Sequence, residues 1–405
     1  MKTELLSDLA DFKHGTTPSK SEPKFWGGGV PWASSKDIKT DILEDTSNHV
    51  TELAVKEAKL PLAPVGSLLI VVRSGILAHT VPVAEVRRPM AFNQDLAAII
   101  PKSTRTDTSW LRLFIKSKSM EILREGIKVG ATVQSFRSGY LKGIRVPLPP
   151  LDDQIAQVKI VSESLDAIES SRSNVESQIE DSARLSAALL ESEFKHGSPI
   201  GVRPRAALNA QWQWHTLSDL ARLESGHTPS RRHPEWWGGK IPWLALPDIR
   251  KLNGKFAYET TEYTSDAGLA NSSARLLPIG TVCLCRDASI GYATILGKSM
   301  ATSQHFCNWI CDPERLDPEF LMYAFMAAHD YLRELGSGSV IKTIYMQTIQ
   351  SFHVCAPDIA EQRRIARTLR ERLAAAESLT AGLNERLADI ERLPQRLLAS
   401  AFGPA

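Results

Sequence analysis

The chain lacks the features that mark membrane-spanning and secreted proteins. It has no run of roughly 18 apolar residues, the length that a membrane-crossing helix needs, and its first residues, MKTELLSDLADFKHG, contain no apolar core of a signal peptide. Hydrophobic residues make up 43% of the 405 residues, which is ordinary for a globular protein with a buried core. We therefore expect a cytoplasmic protein with no membrane partner.

Cysteine is absent from the first half of the chain. The second half contains five, and these are Cys283, Cys285, Cys307, Cys311 and Cys355. A cluster of this kind could hold zinc. An internal repeat, described below, instead places apolar residues of the first half at the corresponding positions, around Leu69–Val72 and Ala97–Pro101. We therefore predict reduced cysteines within a core and no metal site.

The chain also lacks the motifs of cofactor-dependent enzymes. No GxGxxG opens a helix after a first strand, and GYATILGKS at Gly291–Ser299 has five residues between its glycines where a phosphate-binding loop has four. The ten histidines form no HExxH cluster, and Pro149-Pro150-Leu151 lacks the flanking residues of an adenine methyltransferase site. Asp37-Ile38-Lys39, a candidate for a nuclease, recurs as Asp248-Ile249-Arg250, and a catalytic lysine would not readily tolerate that change. We predict no catalytic residue in this chain.

Glycine and proline are missing from the stretch between Leu151 and Phe194. A helix of this length reaches roughly 65 Å. Its apolar residues recur in alternating steps of four and three, which is typical of the seam of a coiled-coil helix. The seam residues are Val161, Leu165, Ile168, Val175, Ile179 and Leu189. Arg172, Ser182 and Ser186 interrupt the seam, so we expect this helix to need a partner.

The partner lies near the C-terminus of the same chain. A shift of 208 residues aligns a second seam with the first, position for position. The apolar members of the second seam are Leu369, Leu373, Ala376, Leu383, Leu387, Ile390 and Leu397. Pro394 stands at the position of Ser186, and we expect it to kink the second helix or to end its regular part. Because each helix would return to pack on the other, we predict an antiparallel intramolecular coiled coil and a pseudo-two-fold internal repeat.

The regions before the two helices repeat as well. LSDLADFKHGTTPSKSEPKFWGGGVPWASSKDIK, from Leu6 to Lys39, aligns without gaps with LSDLARLESGHTPSRRHPEWWGGKIPWLALPDIR, from Leu217 to Arg250. In each copy a Pro-x-Gly turn then leads into a β-rich segment. The chain therefore predicts an α+β fold in which two similar mixed α/β domains are separated by two long antiparallel helices.

Charge is unevenly distributed, although the net charge is only +2. Residues 1–150 carry 21 Lys and Arg against 15 Asp and Glu, whereas residues 151–197 carry 4 against 10. Residues 198–357 carry 15 against 14, and residues 358–405 carry 8 against 7. A basic globular region permits contact with nucleic acid without requiring it.

These motifs, duplicated and in this order, resemble the specificity (S) subunits of type I restriction-modification systems over essentially the whole chain. The opening G-x-T-P-S … W-G-G … P-W … D-I resembles the start of that family's target recognition domains. P-L-P-P-L-D-D-Q-I and A-P-D-I-A-E-Q-R-R-I resemble the family's P-P-x-x-E-Q-x-x-I, which begins its conserved helices, and Leu189–Phe194 and Leu397–Phe402 resemble its L-L-x-x-x-F. The departures are Asp153, where glutamate is usual, and Pro357, which is a single proline rather than a pair.

The resemblance implies four segments. These are target recognition domain 1 at 1–150, the first conserved spacer helix at 151–197, a linker (Gly197–Ala210) with target recognition domain 2 at 198–357, and the second spacer helix at 358–405. It further implies a non-catalytic subunit that reads a bipartite double-stranded DNA target, with one half-site per domain. Two methyltransferase subunits and motor/endonuclease subunits would dock on it, and S-adenosylmethionine, ATP and magnesium would bind those partners rather than this chain.

Two other interpretations stay open. A protein-binding coiled-coil scaffold would use the same helices without reading DNA. A self-sufficient DNA nuclease or methyltransferase would need a cofactor motif, and the absence of such a motif counts against it.

Short polar loops and strand ends provide the candidate DNA-binding residues. Phosphate contacts position a protein, and contacts with base edges specify the sequence. The phosphate candidates are Thr16, Thr17, Ser19, Lys20 and Lys36 in the first domain and His227, Thr228, Ser230, Arg231 and Arg232 in the second. The base-reading candidates, chosen as polar residues at strand ends and in loops that differ between the copies, are Arg73, Ser74, Asn93, Gln94 and Gln134, and Arg286, Asp287, Gln304, Lys342 and Thr343. Arg73 and Arg286 recur and are alternatively framework residues, and we expect Trp32 and Trp243 to be packing anchors.

Overall fold

The chain forms two compact units in a computed structural model that describes residues 3–130, 133–195, 197–338 and 342–403. The first unit comprises Met1–Glu176 and Glu385–Ala405, and the second unit comprises Ser177–Asn384. Both boundaries fall inside the long helices, so each unit contains one stretch of each helix.

The first unit combines β-sheets with short helices. Its strands are β1 (Thr3–Leu5), β2 (Ala10–His14), β3 (Trp26–Ala33), β4 (Ile42–Leu43), β5 (Asn48–Val50), β6 (Leu62–Ala63), β7 (Leu68–Val71), β8 (Val83–Val86), β9 (Met90–Phe92), β10 (Leu96–Pro101), β11 (Ile127–Lys128), β12 (Ser135–Phe136) and β13 (Arg145–Pro147). Its helices are α1 (Leu6–Leu9), α2 (Glu52–Glu57), α3 (Thr108–Ser117), α4 (Ser119–Glu121) and the start of α5 (Leu151–Glu193). Single turns of 3₁₀ or π helix cover Pro23–Phe25, Gly75–Ala78, Ile122–Gly126 and Leu141–Gly143. The main sheet has the strand order β2-β10-β7-β8-β4, and a second sheet has the order β5-β3-β9-β6.

The second unit repeats this plan. Its strands are β14 (Ile200–Gly201), β15 (Gln213–Thr216), β16 (Ala221–Ser225), β17 (Trp237–Leu244), β18 (Phe256–Ala257), β19 (Glu262–Thr264), β20 (Val282–Cys285), β21 (Ala293–Leu296), β22 (Ala301–Thr302), β23 (Phe306–Cys311) and β24 (His353–Ala356). Its helices are α6 (Leu217–Leu220), α7 (Leu246–Leu252), α8 (Asp266–Ala270), α9 (Pro318–Ala327), α10 (His329–Leu335), α11 (Met346–Gln350) and most of α12 (Ile359–Phe402), with a 3₁₀ turn at Pro234–Trp236. The main sheet has the order β16-β23-β20-β21-β18, which matches the first unit strand for strand. The predicted α+β class with two similar mixed domains is confirmed.

The turn before each central strand follows from its sequence. Gly66 and Gly280, the glycines of the two Pro-x-Gly turns, have φ of 77° and 82°, a region that glycine adopts without strain. Their N–H groups donate to the carbonyls of Val86 and Leu296, both at the end of the neighbouring strand. The turn therefore sets the start of β7 and β20, whose side chains are all buried.

The two long helices run antiparallel within the first unit. Val161 of α5 is buried in one cluster with Leu398 of α12 and Leu113 of α3. Four residues earlier on α5, the Gln157 side chain donates to the carbonyl of Ala401, which lies three residues later on α12. The start of α5 therefore packs on the end of α12 and on the first domain.

The same arrangement holds within the second unit. Leu190 of α5 and Leu369 of α12 share the main core cluster. Ser182, which interrupts the predicted seam, is buried, and its Oγ lies 2.7 Å from Oγ1 of Thr380. The polar seam position is thus satisfied by a polar residue of the other helix, which removes the cost of burying an unpaired hydroxyl.

The predicted seam positions are all buried or half-buried. The buried ones are Val161, Val175, Leu369, Ala376, Leu383 and Ile390, and the half-buried ones are Leu165, Ile168, Ile179, Leu189, Leu373, Leu387 and Leu397. Leu190 and Leu398 are more deeply buried than Leu189 and Leu397, which precede them. The seam therefore shifts by one position at the end of each helix.

Two expectations about the ends of the helices need correction. Pro394 does not end helix α12, which continues to Phe402. The last turns are held because the Phe402 ring packs 5.6 Å from the Trp110 ring in the first domain.

The segment 197–210 is not only a linker, because Ile200 is fully buried and pairs through β14 with Val354 of β24. Periodicity did not reveal this strand because it is only two residues long.

Candidate nucleic-acid interface

Two tryptophans hold the first polar loop in place. Trp26 and Trp32 of β3 pack edge to face with ring centroids 5.1 Å apart. The indole N–H of Trp26 donates to the carbonyl of Ser19 at 3.1 Å, and that of Trp32 donates to the carbonyl of Thr16 at 3.3 Å. Trp32 is buried, so its predicted role as a packing anchor is confirmed. The loop 16–20 therefore rests on an aromatic support, with Pro18 buried and the side chains of Thr16, Thr17, Ser19 and Lys20 exposed.

The second domain repeats this support. Trp237 and Trp243 of β17 lie 4.8 Å apart in the same edge-to-face geometry. Their indole N–H groups donate to the carbonyls of Ser230 and His227 at 3.4 and 3.2 Å. The recurring tryptophans of the two copies thus have one function, which is to fix the loop that carries the phosphate candidates. Trp243 is buried, so it too is a packing anchor, as predicted.

A close backbone approach joins each polar loop to the turn after a strand of the second sheet, β9 in the first domain and β22 in the second. A Cβ atom on Gly15 would lie 2.1 Å from the carbonyl oxygen of Asn93, and one on Gly226 would lie 2.0 Å from that of Ser303. Only glycine fits at these two positions. The approach lets the threonine two residues after each glycine donate from its Oγ1 to a glutamine side chain. Thr17 donates to Gln94, and Thr228 donates to Gln304.

The base-reading candidates of the first domain lie together around Asp95. The Arg73 guanidinium Nε donates to Oδ1 of Asp95 at 2.7 Å, and the Asn93 amide donates to Oδ2 at 3.0 Å. The backbone N–H of Ser74 donates to the carbonyl of Gln134 at 3.0 Å. All five candidates therefore lie in one cluster at the end of β7. Gln94 is the member of this cluster that also contacts Thr17 of the loop.

The structure gives Asn93 a supporting role. The residue is 7% exposed, and its side chain binds Asp95 through both the amide and the carbonyl group. A side chain so committed cannot reach a base without breaking the turn, so we withdraw Asn93 as a base reader. Asp95, two residues later, is the residue that the sequence analysis missed. Its only sequence signal was its place directly after Gln94.

The base-reading candidates of the second domain make different contacts at the corresponding strand ends. Arg286 uses its guanidinium to hold the carbonyls of Gln304 and Ile344 at 3.0 and 3.4 Å. Asp287 is paired through an isolated bridge with Thr343, so Lys342 and Thr343 lie beside it. Both carboxylate oxygens of Asp287 contact Nδ1 of His305, at 2.7 and 2.8 Å.

Asp287 is therefore also withdrawn as a direct reader. It is 9% exposed and its carboxylate is occupied by His305, whose ring remains partly exposed. His305 follows Gln304 directly, as Asp95 follows Gln94, and it was missed for the same reason. Arg286 uses its donors on backbone carbonyls, so the framework role offered as an alternative fits it better than base reading.

Two phosphate candidates have other roles. Arg231 donates to both carboxylate oxygens of Glu262, at 2.6 and 2.7 Å, and its guanidinium carbon lies 3.7 Å from the centre of the Trp237 ring. The hydrogen bonds that Arg231 donates to Glu262 raise the pKa of Arg231 above its usual value. Lys36 is exposed and lies in the turn that Asp37 closes. Apart from Arg231, which is exposed but paired, the candidates with exposed side chains on the two loops are Thr16, Thr17, Ser19, Lys20, Ser230 and Arg232, and His227 and Thr228 are half-buried.

Asp37 and Asp248, which recur in the two copies, close equivalent turns. Asp37 accepts hydrogen bonds from the backbone and hydroxyl groups of Ser34 and Ser47 at 2.8–3.0 Å. These hydrogen bonds lower the pKa of Asp37, although partial burial opposes them. Asp248 accepts from Ala245 and Thr261 in the same way. The recurring aspartate is therefore a turn-forming residue.

The cysteines of the second half lie in the sheets. Cys283, Cys285, Cys307 and Cys355 are buried and Cys311 is half-buried, all as free thiols. Burial raises the pKa of Cys285 to about 11 and that of Cys307 to about 12. The predicted core position of Cys283 and Cys285 on a strand is confirmed.

The described ranges contain neither a metal-binding cluster nor a helix that could cross a membrane. Within residues 3–130, 133–195, 197–338 and 342–403, no three His, Cys, Asp or Glu side chains are grouped so that they could hold a metal ion. Over the same part of the chain, no helix is both long and apolar enough to cross a membrane.

Known proteins share both the sequence and the fold. The family model of the type I restriction modification DNA specificity domain matches residues 1–181 and 209–388. The specificity subunit of the type I restriction enzyme EcoR124I/EcoR124II of Escherichia coli is 34% identical over 157 residues, which is 38% of this chain and 39% of that protein. The specificity subunit of the type I restriction enzyme MjaIX of Methanocaldococcus jannaschii is 29% identical over 181 residues, which is 44% of this chain and 40% of that protein. The chain thus matches less than half the length of either relative.

Two solved structures have the same fold over nearly their whole length. One is a chain from work on the complex assembly and conformational transition of the type I R-M system, with a TM-score of 0.74, 18% identity and coverage of 99% of this chain and 97% of that one. The other is the HsdS subunit from Thermoanaerobacter tengcongensis, with a TM-score of 0.67, 16% identity and coverage of 99% and 96%. Because the family model matches both copies of the repeat and most of the chain, the protein belongs to the type I restriction-modification DNA specificity family.

Proposed function

We propose that the chain is the sequence-reading subunit of a type I restriction-modification complex and that each globular domain reads one half of a bipartite DNA target. One hydrogen-bonding framework carries different side chains in the two copies, and this observation carries the proposal. The threonine–glutamine bond recurs, whereas Asp95, which follows Gln94 in the first domain, is replaced by His305, which follows Gln304 in the second. Two domains that read different short sequences need different hydrogen-bond donors and acceptors on the same backbone framework.

The proposed functional segments are the two target recognition domains at 1–150 and 198–357 and the two spacer helices at 151–197 and 358–405. The pairing of Ile200 with β24 supports assigning the linker to the second domain. The compact units divide within the helices instead, because each domain packs against one end of both helices.

The chain is a non-catalytic subunit in this proposal. The carboxylate considered for a nuclease, Asp37, already accepts hydrogen bonds from two serines in its turn. Methylation and cleavage would be performed by two methyltransferase subunits and by motor/endonuclease subunits, which would bind S-adenosylmethionine, ATP and magnesium. Since the substrate is cellular DNA, we place the complex in the cytoplasm.

A map of methylated adenines tests the proposal. The chain is expressed together with the methyltransferase encoded beside it, and methylated positions are mapped across the DNA of the host. We expect two short unequal sequences at a constant separation. Replacement of residues 1–150 by a domain from another family member should change one of the two sequences and leave the other intact.

Three results would overturn the proposal. Methylation without sequence preference would exclude sequence reading by this chain. Failure of the assembled complex to bind DNA in a salt-dependent manner would favour the protein-binding scaffold. Nuclease or methyltransferase activity of the purified chain alone, with magnesium or S-adenosylmethionine, would contradict the non-catalytic role.

A further inference from the structure

A cleft of about 430 Å³ opens in the first domain beside Gln94. Phe12 and His14 of β2 line it, together with Arg137 and Lys142 of the segment that precedes β13. None of the described residues that line the cleft is an aspartate or a glutamate. Three of them are arginine or lysine, so the cleft is positively charged.

The lysine in this cleft is available to bind an anion. The ammonium group of Lys142 lies 5.7 Å from the centre of the Phe12 ring, within the range of a cation–π contact. Lys142 is exposed, so its ammonium group is accessible to a ligand. Arg137 uses its Nε to donate to the carbonyl of Ile127 at 3.4 Å, which leaves its terminal nitrogens for other partners.

The second domain offers an internal comparison. The N–H of Leu6 donates to the carbonyl of Ile144 at 2.9 Å, and that of Leu217 donates to the carbonyl of Phe352 at 2.8 Å. These equivalent bonds fix the alignment of the two segments at an offset of 208 residues. Lys142 therefore corresponds to Gln350.

The second domain has no lysine, arginine or histidine at the positions of the three cleft residues Lys142, Arg137 and His14. At the same offset Arg137 corresponds to Tyr345, and the strand alignment pairs His14 with Ser225. The hollow along β16 is lined by Asp219, Glu224 and Asp312 together with Arg222, whose guanidinium pairs with Glu224. A strand of DNA following the same path in both domains would meet this lysine–arginine pair in the first domain only.

We infer that the cleft of Lys142, Arg137 and His14 binds a backbone phosphate of the DNA half-site read by the first domain, and that the second domain has no such anchor. This inference rests on the proposed function and adds an asymmetry to it. The cleft shares Gln94 and Arg73 with the reading cluster, so a strand whose bases reach that cluster passes its phosphates over the cleft. The surplus of positive charge in residues 1–150, against near balance in 198–357, agrees with it.

The salt dependence of DNA binding tests the anchor. Each phosphate contact contributes about 0.9 to the slope of log K against log salt concentration. The assembled complex is titrated with a duplex carrying the mapped target at several salt concentrations. We expect Lys142→Gln to reduce the magnitude of the slope by about 0.9 and to weaken binding most at low salt.

Lys102→Gln is the matched control. It removes the same charge from an exposed lysine of the same domain, at the opposite end of the β2–β10 pair. We expect it to leave the slope unchanged. Gln350→Ala, at the equivalent position of the second domain, should also leave the slope unchanged. Equal effects of Lys142→Gln and Lys102→Gln would overturn the inference, since general charge would then explain both.

Neutral phosphates locate the contact. Duplexes in which single phosphates are replaced by methylphosphonates are compared on the wild-type complex and on the Lys142→Gln complex. We expect one or two positions in the first half-site where the replacement weakens the wild type but not the variant. Such positions in the second half-site, or in neither, would contradict the inference.

The two hypotheses fail in distinguishable ways. A wild-type complex that binds all duplexes alike would refute the proposed function. A wild-type complex that selects its target, together with a Lys142→Gln variant of unchanged slope, would refute the anchor alone. Inorganic phosphate, added at matched ionic strength, should compete weakly with the DNA for the wild type and less for the variant, and equal competition in both would also count against the anchor.

Discussion

The buried amide of Gln154 joins the first turn of helix α5 to the loop before helix α3. Its Oε1 accepts the backbone N–H of Asp107 at 2.9 Å, and its Nε2 donates to the carbonyls of Arg105 and Pro149, each at 2.9 Å. Gln362 makes the equivalent three bonds at the start of helix α12. One glutamine per copy therefore fixes the direction in which each long helix leaves its domain.

We expect Gln154→Glu to lower the free energy of unfolding by about 3 kcal/mol or more. The glutamate keeps one acceptor, loses both donors and places a carboxyl group where no water can reach it. Chemical denaturation of the purified chain measures the change. Gln178→Glu, an exposed position on the same helix, is the matched control and should stay within about 0.5 kcal/mol of the wild type. Similar losses in both variants would show that the three bonds of Gln154 carry little stability.

Gly15→Ala should be strongly destabilising while Gly29→Ala is tolerated. A Cβ at position 15 would meet the carbonyl oxygens of Asn93 and Phe92 at 2.1 and 2.3 Å, both of which belong to rigid backbone. The Cβ at position 29 meets nothing within 4 Å. Overpacking of this kind costs about 1–3 kcal/mol or more. Thermal unfolding of the two variants measures the difference, and a Gly15→Ala variant as stable as Gly29→Ala would contradict the close approach of the loop to β9.

The fold followed from the sequence because its strongest signals are repeated. A helical period without glycine or proline predicts a helix over Leu151–Phe194, and the helix covers Leu151–Glu193. The Pro-x-Gly turns predicted β7 and β20 because a positive φ at glycine is a local requirement. Pro394 showed the limit of such rules, since the helix continues to Phe402, whose ring packs on Trp110, past a residue that disfavours a helix.

The candidate site was predictable in position but not in detail. Polar residues at strand ends identified the clusters around Gln94 and Gln304. Which of those side chains are committed to a neighbour depends on contacts between distant segments, such as Arg231 with Glu262. The basic cleft was missed because Phe12 and His14 are far in the sequence from Arg137 and Lys142 and meet them only when β2 packs beside the segment before β13.

The buried thiols predict a loss of stability in alkaline solution. Burial raises the pKa of Cys307 from 9.0 to about 12, so the folded state keeps its proton where the unfolded state loses it. The contribution of this protonated thiol to the free energy of unfolding is fully present below pH 9. It is lost as the pH rises toward 12, because proton release then favours the unfolded chain. Denaturation midpoints measured above and below pH 9 should fall more steeply for the wild type than for Cys307→Ala. Parallel curves would show that this thiol does not ionise on unfolding in that range.

Substitution of the tryptophan that holds a polar loop should change DNA discrimination only in the half-site read by the same domain. Trp243→Phe keeps an aromatic ring beside Trp237 but removes the N–H that holds the carbonyl of His227 at 3.2 Å. Loss of one such bond costs about 0.5–1.5 kcal/mol, which corresponds to an affinity loss of about two- to ten-fold. Competition binding with duplexes altered in one half-site at a time should show reduced discrimination in the second half-site only. Trp32→Phe, which removes the bond to the carbonyl of Thr16, should show the reciprocal pattern. If either variant weakened discrimination at both half-sites equally, the loops would not be independent reading elements, and the framework would act through the stability of the whole chain.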